Sequence, residues 1–332
     1  MEKFDLYRDI AARTGGDVYI GVVGPVRTGK STFIKNFMQS LVLPRIEDEA
    51  RKARIVDELP QSADGRTIMT TQPKFVPEAA VGVQFSQGIS ARVRLIDCVG
   101  YPVDEAMGYT EGEKSRLVHT PWSDEEMTFE QAAEIGTRKV IKDHSTVGVI
   151  VTTDGSITGI SRNSYRAPEK RVVEEMRALG KPFAVLFNSK YPDNTEVLRE
   201  AAQLQEEYGA PVIVKNAAAM TEADLTEVIG SILMQFPIKR MDYDIPKWLC
   251  TLPREADVIA DIMEKVRLSC SKALRMGDAK SLAEVFEGDE FVKRASCEAD
   301  PGTGTVRITL TPADGLIVTR LGGEIRVCPE YR

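Results

Sequence analysis

The sequence predicts an α/β protein in which a mainly parallel sheet with flanking helices occupies residues 1–240 and a smaller α+β unit occupies residues 241–332. Strand-like and helix-like segments alternate with short links from residue 129 onward, and this pattern is typical of crossover units in a parallel sheet. The composition changes after Pro237. The 332 residues, of which 42% are hydrophobic and 28% charged, suffice for two folded domains.

Apolar periodicity and turn residues define the elements of the first half. In chain order they are a helix at 4–13, a strand at 17–23, a helix at 31–42 closed by Pro44, a helix at 46–59, and strands at 80–86 and 91–97. A Gln-Gly turn between the last two strands favours a hairpin. A turn-rich loop at 60–73 and a long polar connection at 98–128 complete this part, and a connection of that length is usually functional or mobile.

The alternation then becomes regular. Its segments are a helix at 129–143, a strand at 147–152, a helix at 168–179, a strand at 182–187, a helix at 195–208, a strand at 211–214 and a helix at 222–235. The second unit shows a charge-mixed helix at 254–275, another short helix, and strand-like pieces at 305–311 and 316–328. No closing element follows the last piece, so this unit is expected to be incomplete.

Composition argues against several classes of function. No apolar run approaches the ~18 residues of a membrane span, and the first residues lack a signal-peptide core. The net charge of −7 argues against a broad nucleic-acid-binding surface. The five cysteines form no CxxC pair and only two histidines are present, so neither a zinc site nor a disulfide framework is indicated. Such cysteine usage is typical of a reducing cytosol.

The segment GPVRTGKS, from Gly24 to Ser31, carries the strongest chemical signal. It fits the pattern GxxxxGK[ST] and lies between a predicted strand and a predicted helix. In such a loop, backbone amides turn inward around phosphate oxygens, the lysine reaches the β- and γ-phosphates, and the serine hydroxyl ligates Mg²⁺. The residues predicted to line this phosphate site are Gly24, Pro25, Val26, Arg27, Thr28, Gly29, Lys30, Ser31 and Thr32. The side chain of Arg27 is a weaker candidate for phosphate contact, because most arginines are solvated at the surface.

A second motif, RLIDCVG, ends the predicted strand at 91–97. An aspartate at the end of an apolar strand is placed to hold Mg²⁺ through water, which makes Asp97 a predicted metal residue. Gly100 is placed to offer its backbone N–H to a γ-phosphate. Strand-terminal aspartates also cap ordinary turns. The functional interpretation is favoured because the motif follows the phosphate loop at a distance of about 67 residues with a loop between them.

The intervening loop contains Thr67, Thr70 and Thr71. P-loop switch proteins use one threonine there to close on Mg²⁺ and the γ-phosphate, so that the loop senses the nucleotide state. Thr70 or Thr71 is favoured for that role over Thr67, and the alternative is a solvated, Thr-rich turn. The predicted catalytic residues are Lys30, Asp97, Thr70 and Thr71, and the predicted metal residues are Ser31, Thr70 and Asp97.

Two departures from GTP-binding proteins bear on the nucleotide. Such proteins read guanine with an Asn-Lys-x-Asp sequence, and the matching strand end here has Asn188, a predicted nucleotide contact, followed by Ser189 and then Tyr191 in place of the aspartate. Without that carboxylate guanine loses its discriminating partner, which favours ATP. Switch GTPases also often place a glutamine directly after DxxG to orient water. Tyr101 stands there, so hydrolysis is expected to be slow or to need a group from elsewhere, such as a neighbouring subunit.

With these motifs in place, the chain resembles the stage IV sporulation protein A family, the coat morphogenetic ATPases of endospore-forming bacteria. The segments that carry the resemblance are MEKFDLYRDIAARTGGDVYIGVVGPVRTGKSTFIKNFM, DELPQSADGRTIMTTQPKFVP, RLIDCVGYPV, HTPW and AAEIGTRKVIKDHSTVGVIVTTDGSI. The resemblance is strong over residues 1–240. It is weaker over 241–330, where IPKWL and the later strand-like pieces carry it.

The resemblance implies a translation-factor-related P-loop fold that has changed from GTP to ATP, with Lys30, Asp97 and the sensor threonines Thr70 and Thr71 in the family's motif positions. It implies that hydrolysis drives self-assembly into a static homopolymer. It further implies that this polymer forms the basement layer of the spore coat, on the forespore surface in the mother-cell cytoplasm, together with other coat morphogenetic proteins. Family members usually continue into a C-terminal region that docks on a small amphipathic membrane-bound peptide. That region is expected to be absent here, which would make the chain a shortened paralogue or a fragment.

Two other interpretations stay open at this point. One is a GTPase-like switch that acts through partner binding. The other is a nucleotide-binding structural module whose hydrolysis is vestigial. Relative affinity for ATP and GTP separates the first from an ATPase, and the rate of phosphate release separates the second.

Overall fold

The structure, a computed structural model, describes residues 17–59, 73–84, 90–103, 106, 110–111, 114–115, 117–120, 123–253, 256–288, 290–301, 303–313, 316–321 and 324–329. Residue contacts separate two compact units, one drawn from residues 1–85 and 91–232 and the other from residues 86–90 and 233–332. The predicted helix at 4–13 and all but the last residue of the predicted loop at 60–73 lie outside the described residues.

The first unit is built around a six-stranded sheet. Its elements in chain order are β1 (Val18–Val23), α1 (Lys30–Phe37), α2 (Glu49–Glu58), β2 (Lys74–Gln84), β3 (Ser90–Asp97), β4 (Thr110–Glu111), β5 (Lys114–Ser115), β6 (Leu117–Thr120), β7 (Ser123–Thr128), α3 (Phe129–Lys139), β8 (Val147–Thr153), α4 (Arg162–Ala178), β9 (Phe183–Asn188), α5 (Thr195–Tyr208), β10 (Val212–Lys215) and α6 (Glu222–Leu233). The strand order is β10-β9-β8-β1-β3-β2. The strands from β10 to β3 pair in parallel, which confirms the mainly parallel sheet.

The central strands are buried on both faces, as expected for parallel strands whose crossover helices cover the sheet. Every residue of β8 and of β9 is buried, and parallel strands covered by helices on both sides need such largely apolar sequences. β1 aligns Val22 with Asp97 of β3, and Val23 with Ile150 of β8. The carboxyl ends of these strands therefore meet at one edge of the sheet, where open α/β proteins place their ligand sites.

The helices that flank β1 have defined beginnings and ends. α1 and α3 each continue into a π-helical turn, over Met38–Val42 and Val140–His144. α3 begins at a capping box, in which the side chains of Thr128 and Gln131 each accept a hydrogen bond from the other's backbone N–H. Because a capping box satisfies donors that would otherwise be unpaired, it fixes the start of α3.

Several segments of the first unit differ from the prediction, and β2 runs over Lys74–Gln84 rather than over 80–86. α4 begins at Arg162 rather than at 168, because the Ser161 side chain accepts a hydrogen bond from the Asn163 N–H and caps the helix there, while Pro168 lies inside it. The connection at 98–128, predicted as a polar loop, contains two short antiparallel pairs, β4 with β5 and β6 with β7. Such short polar strands show too little apolar alternation to be recognised in the sequence.

The second unit is an α+β arrangement. Its elements are β11 (Arg240–Asp244), α7 (Asp257–Lys272), α8 (Ala279–Glu284), β12 (Val292–Asp300), β13 (Thr305–Pro312), β14 (Leu316–Leu321) and β15 (Glu324–Pro329). β13 lies between β11, which is parallel to it, and β12, which is antiparallel, and β14 pairs antiparallel with β15. The sequence does not predict β11 or β12, whose residues are largely charged and polar. Pairing with β13, which has buried apolar positions, decides their conformation.

Among the described residues, no helix combines the length and the apolar character needed to span a membrane.

Candidate functional site

The glycine loop, Gly24–Gly29, joins β1 to α1 at the carboxyl edge of the sheet. Gly29 is the N-cap of α1 and has a left-handed conformation with a φ of 97°. α1 begins with neither a capping side chain nor an acidic residue in its first turn. The first N–H groups of a helix lack intrahelical partners and carry the positive end of the helix dipole. This helix start can therefore accept an anion.

Lys30 is buried where the glycine loop meets α1. Its ammonium donates to the Pro25 carbonyl at 2.6 Å, and the Thr28 hydroxyl donates to the same carbonyl at 3.0 Å. Burial lowers the pKa of Lys30, and the neighbouring Cys98 and Asp97 act in the opposite direction. The ammonium is therefore held against the loop at a desolvation cost that an anionic ligand would offset.

Ser31 and Asp97 meet between α1 and β3. The Ser31 hydroxyl donates to Oδ2 of Asp97 at 2.9 Å, whereas Oδ1 of Asp97 is buried without a hydrogen-bond partner among the described residues. Burial raises the pKa of Asp97, and the Lys30 ammonium and the Ser31 hydroxyl oppose that rise. Mg²⁺ is usually held by one or two carboxylates together with substrate phosphates. An unpaired carboxylate oxygen beside a hydroxyl therefore fits a magnesium ion.

Gly100 lies against both the glycine loop and Lys30. A Cβ atom built on it would lie 2.4 Å from the carbonyl oxygen of Gly24 and 2.4 Å from Nζ of Lys30, and its φ is 100°. A side chain would therefore meet both a strained backbone and a direct clash. The Gly100 N–H donates to Oγ1 of Thr137 on α3 at 3.1 Å. The Gly100 N–H, which is predicted to contact a γ-phosphate, is thus already hydrogen-bonded to a buried hydroxyl of the protein.

Tyr101 is bonded to the glycine loop by its backbone and to α4 by its side chain. Its N–H donates to the Gly24 carbonyl at 3.1 Å, and its carbonyl accepts from the Val26 N–H at 2.9 Å. The buried phenol donates to Glu175 at 2.6 Å, and the Arg171 guanidinium lies 4.2 Å from the ring centroid. Burial and then the bond to Glu175 raise the pKa of Tyr101. The phenol is therefore engaged by two side chains of α4.

Asn188, at the end of β9, connects the glycine loop to the segment after β10. Its Nδ2 donates to the Thr28 carbonyl at 2.9 Å, and its Oδ1 accepts from the Ala217 N–H at 2.9 Å. A Cβ atom on Gly29 would lie 2.4 Å from the same Nδ2, so the amide is packed directly against the loop. Both polar atoms of the Asn188 side chain, Nδ2 and Oδ1, are therefore hydrogen-bonded to protein backbone.

Ser189 is fully buried next to Asn188. Its hydroxyl donates to Oδ2 of Asp154 at 2.6 Å and accepts from the Tyr191 N–H at 2.9 Å. Oδ1 of Asp154 accepts from the N–H and the hydroxyl of Ser156. Tyr191, in the place of a guanine-reading aspartate, is 64% exposed. This strand end therefore presents an aromatic side chain to solvent.

The structure brings together, at the carboxyl edge of the sheet, the predicted site residues that it describes. They are Gly24, Pro25, Val26, Arg27, Thr28, Gly29, Lys30, Ser31, Thr32, Asp97, Gly100 and Asn188. The Val26 side chain packs in a buried apolar cluster with Val103 and Phe129, so only its backbone is available to a ligand. Thr67, Thr70 and Thr71 lie outside the described residues.

Sequence reasoning missed three residues that bond to the site or to its chain neighbours: Thr137 to Gly100, Glu175 to Tyr101 and Asp154 to Ser189. Thr137 lies within an amphipathic helix and Glu175 among the charged residues of α4, so neither belongs to a short motif. Asp154 did carry a signal. It is a polar residue directly after the buried strand β8, and so it lies at the same edge of the sheet as Asp97.

Fold and site together define a class of protein. The chain is an α/β protein whose first parallel strand leads through a glycine loop into a helix, with a paired serine and aspartate beside it. The family model for stage IV sporulation protein A, ATPase domain, matches residues 1–237, and the model for the middle domain of the same protein matches residues 238–327. The chain belongs to the stage IV sporulation protein A family and carries its ATPase domain.

Curated relatives named stage IV sporulation protein A agree with this assignment. The protein of Clostridioides difficile (strain 630) is 47% identical over 92% of this chain, that of Bacillus subtilis (strain 168) 44% over 95%, and that of Bacillus anthracis 46% over 95%. The chain spans 62%, 64% and 64% of the lengths of these proteins, which is less than two thirds.

Solved structures give a more distant likeness. Crystal structures of two mutation variants of SsGBP align with 68% of this chain and with 59% and 58% of theirs, at 14% and 15% sequence identity. Their TM-scores of 0.36 and 0.35 are too low to carry an argument.

Proposed function

We propose that this chain binds and hydrolyses ATP with Mg²⁺, and that hydrolysis drives its self-assembly into a static polymer. The observation that carries the enzymatic part is the Ser31–Asp97 pair beside the buried Lys30 ammonium, with one Asp97 oxygen left unpaired. The match to an ATPase domain supports nucleotide hydrolysis as the class of reaction.

In this proposal the glycine loop is the phosphate-binding loop of a P-loop nucleotidase related to translation factors. The amides of residues 24–32 hold the phosphates, and Lys30 neutralises β- and γ-phosphate oxygens. Ser31 and Asp97 hold the metal ion, joined by Thr70 or Thr71 from the loop before β2. Bound there, Mg²⁺ neutralises charge that develops on the phosphate oxygens.

The nucleotide is proposed to be ATP rather than GTP. Guanine selection needs a carboxylate that accepts hydrogen bonds from the base, and Tyr191 stands at its place. The nearby carboxylate of Asp154 is engaged by Ser189 and Ser156. Asn188 belongs to the nucleotide site as the residue that ties the phosphate loop to the ends of β9 and β10.

The assembly part of the proposal rests on the family. The relatives are named as sporulation proteins, and the resemblance implies a homopolymer that forms the basement layer of the spore coat, at the forespore surface in the mother-cell cytoplasm. Its partners are further copies of this chain and other coat morphogenetic proteins. A P-loop domain at 1–240 and a small α+β domain at 241–332 are part of the proposal. The proposed partners do not include the membrane-bound peptide.

Competition binding and phosphate release test the enzymatic part. ATP is expected to displace a fluorescent ATP analogue at a lower concentration than GTP does. Lys30→Ala is expected to lower phosphate release by on the order of 100-fold, because it removes a cation from the developing charge. Lys170→Ala, which changes an exposed lysine of α4, is the matched control.

The two alternatives correspond to distinct outcomes. A clear preference for GTP would reject the ATPase in favour of a GTPase-like switch. Equal phosphate release from the wild type and Lys30→Ala would leave only a nucleotide-binding structural module.

A further inference from the structure

Arg27 has the most unusual backbone in the glycine loop. Its φ is 61°, and among the described residues it is the one non-glycine residue with a positive φ. A long side chain rarely adopts this left-handed conformation, because its Cβ crowds the backbone. Strained positions of this kind concentrate at functional sites, where the surrounding structure holds them.

The Arg27 side chain is also the exposed one of the loop. Pro25, Val26 and Thr28 are buried, whereas Arg27 is partly exposed. Its guanidinium makes no hydrogen bond or ion pair with any residue that the structure describes. The guanidinium is therefore partly exposed and without a partner among the described residues, so it is available to a ligand.

Two arginines of α4 are engaged by carboxylates. Arg162 donates to Glu169 and to Glu200, and Arg171 pairs with Glu134 and Glu175. These ion pairs hold both guanidinium groups against carboxylates of α3, α4 and α5. Arg27 differs from them because its cation is left uncompensated next to the start of α1, where the helix dipole also attracts an anion.

We propose that Arg27 is a catalytic residue of the hydrolysis and that its guanidinium contacts the γ-phosphoryl oxygens of bound ATP in the transition state. The inference rests on the proposed function. In this proposal Arg27 supplies, within one chain, a group that assists hydrolysis. Tyr101 does not provide such a group because Glu175 holds its phenol. A guanidinium is planar and offers donors in a fork, so it matches two phosphoryl oxygens at once.

In the proposed reaction, negative charge develops on oxygens that a guanidinium can neutralise. The oxygen of water forms a bond to the γ-phosphorus, and the bond from that phosphorus to the β–γ bridging oxygen breaks. The electron pair of the broken bond stays on ADP, and a proton of the water leaves to solvent. Charge spreads over the γ-phosphoryl and bridging oxygens during this step, and an arginine contact there is worth more in the transition state than in the ground state.

The test compares Arg27→Gly, Arg27→Asn and Arg27→Lys with Arg199→Ala, an exposed arginine of α5. Glycine and asparagine tolerate the left-handed conformation, so these variants are expected to fold with an unchanged or higher melting temperature. We expect Arg27→Gly to lower kcat by at least ~100-fold, while the Kd for a non-hydrolysable ATP analogue changes by less than about threefold. Binding of ADP with aluminium fluoride, a mimic of the transferring phosphoryl group, is expected to weaken in parallel with kcat.

Two further arms separate a chemical role from a structural one. Added guanidinium ion is expected to restore part of the turnover of Arg27→Gly, and Arg27→Lys is expected to keep only a fraction of it. Mixing Arg27→Gly with Lys30→Ala is expected to restore nothing, because Arg27 acts within its own chain. Restoration in the mixture would overturn the proposal, as would a kcat of Arg27→Gly within threefold of wild type or an unchanged affinity for ADP with aluminium fluoride. A wild type that does not hydrolyse ATP would instead reject the proposed function itself.

Discussion

Asp97 and Lys30 carry opposite charges that burial disfavours. Burial raises the pKa of Asp97 and lowers the pKa of Lys30, so in both cases the neutral form gains relative to the charged one. Each charge partly compensates the other, and Ser31 adds a hydrogen bond to the carboxylate. Removal of either partner leaves the other buried and less well compensated, so single substitutions here affect more than the contact they delete.

The unpaired oxygen of Asp97 leads to a prediction about the metal. Asp97→Ala is expected to lower Mg²⁺-dependent turnover by on the order of 100-fold, because it removes a ligand of the ion from beside the phosphates. Nucleotide binding measured without Mg²⁺ is expected to change by only a few fold. Isothermal titration with and without Mg²⁺, together with phosphate release, measures both, and Asp193→Ala, an exposed carboxylate, is the control. Equal losses with and without Mg²⁺ would contradict the metal role.

At the scale of elements, α4 is fixed to the sheet by a buried network around Glu169. This carboxylate has no exposed surface, and it accepts hydrogen bonds from Arg162 at 2.6 and 3.1 Å and from Tyr208 of α5 at 2.6 Å. Thr152 of β8 also donates to it. Because each acceptor is satisfied, the network orients α4, and α4 in turn places Glu175 on the phenol of Tyr101.

Thr137 of α3 bonds directly to the candidate site, because its hydroxyl accepts a hydrogen bond from the Gly100 N–H. In the proposed function a γ-phosphate takes this N–H from Thr137, whereas ADP leaves it in place. Thr137→Val keeps the shape and removes the acceptor, which leaves the amide unpaired in the nucleotide-free and ADP-bound forms at a cost of about 1–3 kcal/mol. The variant is therefore expected to be less stable without nucleotide and to bind a non-hydrolysable ATP analogue more tightly relative to ADP, by several fold.

Thermal unfolding and the ratio of the two dissociation constants check this expectation. Thr137→Ser retains the hydroxyl and serves as the matched variant, for which the ratio stays near that of the wild type. A ratio that is the same in Thr137→Val and in the wild type would show that the γ-phosphate does not compete for the Gly100 amide.

At the scale of the whole molecule, the proposal couples hydrolysis to assembly. Sedimentation of the purified chain is expected to yield more pelleted protein with ATP than with a non-hydrolysable analogue or without nucleotide. Lys30→Ala is expected to remain in the supernatant under all three conditions, because it fails at the step that precedes assembly. Equal amounts of pelleted protein with ATP and with the analogue would show that polymerisation does not require hydrolysis, and would contradict the proposed coupling.

The sequence predicts much of the first unit because its signals are local. The apolar strands β1, β8 and β9 and the loop around Lys30 each have a pattern that a short window contains. Contacts between distant segments leave no such pattern. The bonds from Gly100 to Thr137 and from Tyr101 to Glu175 join different elements, and β12 adopts its conformation by pairing with β13. These parts of the site and fold become apparent only when the chain is folded.

The burial of Ser189 has a consequence for protein engineering. Grafting the guanine-reading sequence would put a lysine at 189 and an aspartate at 191, yet position 189 is enclosed and its hydroxyl bridges Asp154 and the Tyr191 N–H. A lysine stem has no room there, and without the hydroxyl the turn that carries residue 191 loses its support. A change of base preference therefore requires redesign of the turn after β8 together with the end of β9, because Asp154 and Ser189 join the two loops into one structural unit.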